Sequence, residues 1–198
     1  MHGLANRALE GFARDTYGDD TWRRVIGALG LGYESFEAVL DYEPDITDAL
    51  IEGLATAARL SPEELLEDLG TFLVAAPRTR AIRRLLRFGG ADFTDFLHSL
   101  GDLPARVRLA LPDLSVPQLV LEELGPGAYR LRVQRGRVLR HGFGHVMVGL
   151  LRAMADDYGA LVLLEHRGQD REVEKIGITL LEPAFTEARA FALGEPST

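Results

Sequence analysis

The chain has five histidines, and they are the first residues to weigh for chemistry: His2, His98, His141, His145 and His166. His141 and His145 stand four apart, a spacing that would put both imidazoles on one face of a helix. Gly142 and Gly144 fall between them, at what reads as a strand-to-helix junction. The two are therefore expected as turn and surface histidines. No HExxH pattern occurs and no third ligand is suggested nearby, so no metal site is expected. His98 follows Phe96 and Leu97 on a helical pattern and reads as a partly buried structural residue. The carboxylates Asp19, Asp20, Glu63, Glu64, Glu67, Asp68, Asp156 and Asp157 read as solvated helix faces and caps. Cysteine is absent, which removes disulfides, thiolate metal sites and a thiol nucleophile together. Lys175 is the sole lysine, and nothing around it favours a Schiff base. No serine stands in a GxSxG elbow, and there is no GxGxxG or Walker A run. These residues point away from an enzyme.

At 198 residues the chain suits one large domain, or one domain with a small appendage. With 46% hydrophobic residues it can bury a core without staples. A net charge of -8 argues against a broad phosphate-binding surface, so nucleic acid is not an expected partner. No apolar run approaches the roughly 20 residues of a membrane span, and the N-terminus lacks the apolar core of a secretory signal. The expectation is a soluble cytoplasmic protein.

The elements that must position a site change character near the middle. Residues 1–110 read as helices. Leu4, Ala5, Ala8, Leu9 and Phe12 recur at helical spacing, and Trp22, Val25, Ile26 and Leu29 do so after a break at Gly18. Asp45 or Thr47 could start a helix buried through Leu50, Ile51, Leu54 and Ala58. Ser61, Pro62 and Glu64 form a capping box ahead of Leu65, Leu66, Leu69, Phe72 and Leu73. A short arginine-rich helix is expected near 79–87. From Asp92 to Leu111 the pattern is one long helix interrupted by Pro104, which either starts a new helix or kinks the old one. Strands are expected near 118–124, 129–133, 160–166 and 173–181, with a helix over 143–157 and a polar turn from Arg167 to Asp170. Helices first, then a small antiparallel sheet with one helix packed on it, is the α+β class. Residues 1–182 are read as a single domain, with a helical half over 1–110, a sheet-containing half over 111–182, and a tail or short extra element over 183–198.

Several pieces taken in order resemble the heme-based nitric oxide/oxygen-binding (H-NOX) domain family, the sensor module of soluble guanylate cyclase and its bacterial relatives. They are Met1-His2-Gly3, Ala8-Leu9-Glu10, Tyr17-Gly18 followed by Trp22, the capped helix from Ser61 through Phe72, Phe96-Leu97-x-x-Leu100, Pro112 and Pro117, Gly142-Phe143 and Gly149-Leu150. The likeness covers about residues 1–181. It implies a heme held by an axial histidine and by a Tyr-x-Ser-x-Arg motif at the propionates. The position matching the histidine is Pro104, which has no coordinating side chain. The motif positions are Gly136, Val138 and Arg140, of which only the arginine is kept. His98 lies about 9 Å before Pro104 along a helix and on another face, a poor substitute.

On these departures no cofactor is expected, heme being the family cofactor. The wall matching the family pocket is Leu4, Ala5, Phe72, Leu73, Val116, Pro117, Val146 and Leu150, with Arg140 near one end. An apolar wall with one arginine suits a greasy body with a carboxylate head, so a fatty acid is the concrete expectation. Three readings stay open: a heme-independent sensor holding such a molecule, a ligand-free interaction module whose pocket has collapsed, and a heme-binding gas sensor with another axial ligand. Since no output domain is recognised in the chain, signalling implies a separate partner protein.

Overall fold

In the computed structural model of the chain the described residues are 2–111, 114, 116–134, 142–170 and 172–181. The helical half opens with α1 (Gly3–Tyr17) and α2 (Asp19–Leu29), separated by Gly18, whose φ of 87° is the left-handed turn that breaks the pattern. Helix α3 (Pro44–Ala58) starts on its proline, where a missing N–H costs nothing because first-turn donors have no intrahelical partner. Helix α4 (Pro62–Ala75) carries the full capping box: Glu64 N–H donates to Ser61 Oγ at 3.1 Å, and Ser61 N–H donates to the Glu64 carboxylate at 2.7 Å. A 3-10 turn (Pro77–Thr79) leads into α5 (Arg80–Arg87). Helix α6 (Phe93–Ser99) is capped by the Asp92 side chain.

Pro104 starts a helix. A 3-10 turn over Leu100–Asp102 follows α6, and α7 (Leu103–Ala110) begins with Pro104 in its first turn. The proline therefore stands in a first turn, where its missing N–H removes no bond within α7.

Among the described residues the sheet is four-stranded and antiparallel throughout, in the order β1-β2-β4-β3, with β1 (Leu119–Gly125), β2 (Ala128–Gln134), β3 (Val162–Asp170) and β4 (Val173–Leu180). Between β2 and β3 lies α8 (Gly144–Tyr158). The expected turn at Arg167 to Asp170 is instead the end of β3. An irregularity between His166 and Gln169, with Gly168 at φ 77°, lets the strand resume pairing before it reverses.

Two apolar clusters meet along α8. One joins α1 to α4 around Phe12, Trp22, Phe36 and Leu54, and the other joins α6, α8 and the inner sheet face around Phe96, Leu131, Met147, Met154 and Ile176. Val146 belongs to the first cluster and Met147 to the second, so α8 is the seam. It crosses α4 backbone to backbone: a Cβ on Gly149 would overlap the Glu67 carbonyl, and one on Gly70 would overlap the Val146 carbonyl. Thr71 Oγ1 donates to the Gly149 carbonyl at 3.3 Å across the same crossing. Among the described residues no helix is long and apolar enough to cross a membrane.

Candidate functional site: an apolar cavity closed by both halves

A cavity of about 470 Å³ lies where α1, α3, α4, the start of α5, the loop after α7 and the N-terminus of α8 converge. That volume falls within the roughly 300–1,000 Å³ of small-molecule sites. Leu4, Ala5, Phe72, Leu73, Val116, Pro117 and Val146 line it. Leu150 does not. One turn past Val146 it has left the cavity and packs, 5% exposed, into the cluster on the sheet side. Arg140, Gly136 and Val138 lie outside the described residues, as does His141. Pro104 is buried and contributes nothing to the lining, which takes up the chain again at Leu111.

Among the described residues the walls are hydrocarbon with four polar exceptions: Arg7, Thr47, Arg78 and Thr79. Thr47 Oγ1 donates to Asn6 Oδ1 at 2.7 Å, a buried pair that ties α3 to α1. Thr79 Oγ1 donates to the Ala76 carbonyl at 2.9 Å, closing the end of α4. Phe72 meets Phe12 edge to face at 5.4 Å, and Phe12 meets Tyr17 at 5.5 Å, so the cavity wall is backed by a row of rings. Burial, with Asp68 nearby, raises the Tyr17 phenol above its ordinary pKa.

Beside the cavity stands a cluster that the sequence reading missed. His145 and His166 stack with ring centroids 4.0 Å apart. His145 Nδ1 lies 3.2 Å from Glu67 Oε1, and His166 Nε2 lies 3.1 Å from Glu174 Oε2. Glu174 is only 2% exposed and also accepts the N–H groups of Phe143 and Gly144, both at 2.9 Å. A buried carboxylate thus caps the N-terminus of α8, where free N–H groups and the helix dipole favour negative charge. The expectation of a surface His145 is corrected: 15% of its side chain is exposed. Glu67 is corrected with it, since it binds His145 and Arg152 across the α4–α8 crossing. The signal was present. His166 shares the inward phase of Val162 and Leu164 on β3, and Glu174 that of Ile176 and Ile178 on β4. His98 departs the other way. Its side chain is 47% exposed, it lies 3.3 Å from Glu123, and it takes no part in the cavity.

Residues 2–166 match the family described as Haem-NO-binding. The chain belongs to that family. Among curated proteins, soluble guanylate cyclase gcy-31 of Caenorhabditis elegans is 24% identical over 157 residues, covering 79% of this chain and 22% of that protein. Soluble guanylate cyclase 89Db of Drosophila melanogaster is 20% identical over 161 residues, covering 81% and 24%. The chain thus spans about a quarter of the length of the curated relatives it matches. Among solved structures, the Fe(II) unliganded H-NOX protein from K. algicida superposes with a TM-score of 0.75 at 20% identity, covering 93% of this chain and 99% of that one. The H-NOX protein from S. oneidensis in the Fe(II)NO ligation state gives 0.75 at 16% identity, covering 92% and 100%. The fold is the H-NOX fold.

Membership overturns the expectation that no cofactor is to be found here and that a fatty acid stands in for it. The family is haem-binding, and haem is the group to which the relatives point. The apolar surface that would meet the ring is present in the cavity lining. The residues present fit the macrocycle: apolar walls on several sides and two guanidinium groups on the lining suit a flat apolar ring with acidic arms. Among the described lining residues none is a histidine, tyrosine or methionine.

Proposed function

We propose that this domain is a sensor module that takes a haem-type tetrapyrrole into the cavity and passes its occupancy to a partner protein or domain. The observation that carries this reading is the cavity itself, open between the two halves and walled by hydrocarbon from α1, α4 and α8. Leu4 and Ala5 on α1 and Phe72 and Leu73 on α4 would cover the ring and keep water from it. Val146 would meet it from α8, the helix that joins both cores, and Phe143 from the residue just before that helix. When bound, haem supplies an iron centre at which a diatomic gas can bind. Residues 1–182 are the sensor unit under this reading, and no catalytic step is assigned to them. The collapsed-pocket alternative loses ground because side chains have not closed the space.

The test is titration of the purified chain with hemin, followed by visible absorbance. A saturable one-to-one change is expected, and Leu73→Arg should weaken it at least tenfold by placing a charge against the ring. A folded protein that leaves the hemin spectrum as it is in buffer would refute the reading.

A further inference from the structure

On α1 the positions 7, 11 and 15 form one stripe at helical spacing. Arg7 and Gly11 line the cavity, and so does Arg78 from the turn after α4. Gly11 has no side chain, and a Cβ there would stand 3.2 Å from Arg78 Nη1, so Arg78 lies across the helix at this point. Its head continues to Asp15, with Nη2 2.7 Å from Oδ1. Asp15 therefore both positions Arg78 and balances its charge. Arg7 is different. Its one hydrogen bond among the described residues is from Nη1 to the Phe36 carbonyl at 3.3 Å, and no carboxylate pairs with it there. Among the described residues, the cavity edge formed by α1 thus carries a positive charge without a paired carboxylate, on a guanidinium with most of its donors unused.

We propose that Arg7, with Arg78 beside it, is the site that holds the acidic arms of the cavity's ligand. It would select a tetrapyrrole bearing free carboxylates over the same ring without them. This rests on the tetrapyrrole reading given above. Arginine suits the task because its planar fork can hold a carboxylate through two parallel hydrogen bonds. Thr47 and Thr79, the other polar residues of the described lining, already donate to Asn6 and Ala76, so they offer an acid arm less. The site is assembled from the helical half, at residues that show no resemblance to a propionate motif.

The experiment compares metal-free protoporphyrin IX with its dimethyl ester, followed by porphyrin fluorescence and by quenching of Trp22, the sole tryptophan. Neither probe contains iron, so the comparison reads the arms and not the metal. The full chain should bind the diacid at least tenfold more tightly than the diester. Arg7→Gln should cost the diacid about tenfold and leave the diester unchanged, Arg7→Lys should recover part of the loss, and Arg7→Gln with Arg78→Gln should erase the preference. Equal binding of diacid and diester by the unaltered chain would overturn the proposal, a comparison that needs no variant to fold. Equal diacid affinity in a folded Arg7→Gln variant would overturn it too. Failure of both porphyrins to bind the unaltered chain would instead sink the tetrapyrrole reading, and this site with it.

Discussion

Glu174 offers the sharpest test of how the sheet holds the cavity wall. Both of its oxygens are occupied: Oε1 takes the Phe143 N–H, and Oε2 takes the Gly144 N–H and faces His166 Nε2. In Glu174→Gln one oxygen becomes an NH2 group, which can no longer accept from the backbone. One buried N–H is left without a partner, a loss of about 1–3 kcal/mol. The anionic charge at the helix N-terminus disappears as well, for about 0.3–1 kcal/mol and up to ~2 in partly buried geometries. The two together give about 2–4 kcal/mol. For a domain of this size each kcal/mol moves the melting temperature by about 2–4 °C, so Glu174→Gln should melt roughly 5–15 °C lower. Circular dichroism at 222 nm during heating is the assay. Gly142, Phe143 and Val146 line the cavity at the end of α8 that Glu174 holds, so hemin affinity should fall with stability. A variant that melts within a degree or two of the parent would refute the account of Glu174 as the cap of α8.

Two further outcomes follow from the packing. Gly149→Ala should destabilise by at least about 1–3 kcal/mol, because the added methyl meets the Glu67 backbone and no rotamer change can relieve it; denaturant unfolding at constant m-value would measure it, and an unchanged midpoint would deny the close crossing. Tyr17→Phe should stabilise by about 1 kcal/mol, since among the described residues the buried hydroxyl has no hydrogen-bond partner. The raised folded pKa of Tyr17 makes a contribution that is complete below the unfolded value near 10 and is lost as pH rises through the folded value. Stability should thus fall between pH 9 and 11 in the parent and fall less in Tyr17→Phe, which urea midpoints at the two pH values would show.

What was legible in the sequence was local. The box at Ser61–Glu64, the break at Gly18 and the alternation of Tyr129, Leu131 and Val133 each report on a few neighbouring residues, and each element stands where they place it. The fate of Pro104 depended on something equally local but unread: the 3-10 turn at Leu100–Asp102 releases the chain before the proline arrives. The histidine stack was not legible in that way. Glu67 and His145 meet across 78 residues, through a crossing set by two glycines, and no window of sequence contains both. Half of the clue was in plain view, because His166 and Glu174 occupy inward phases of their strands. Strand phase, and not residue type, decides the face each side chain takes.

The cofactor expectation failed for a different reason, and the reason bears on how degenerate sites should be judged. An iron ligand is a single atom, so its loss can be read at a single position. A ring of porphyrin size is held by area, and area is distributed over α1, α4, the loop after α7 and α8. At about 25 cal/mol per Å² of apolar surface removed from water, a few hundred Å² of buried ring face is worth several kcal/mol without any bond to the metal. A described lining without histidine, tyrosine or methionine therefore argues about the iron's coordination and leaves the apolar binding surface standing. Leu73→Arg attacks area, while Arg7→Gln attacks one charged contact, and a ligand held mainly by its ring should feel the first more than the second.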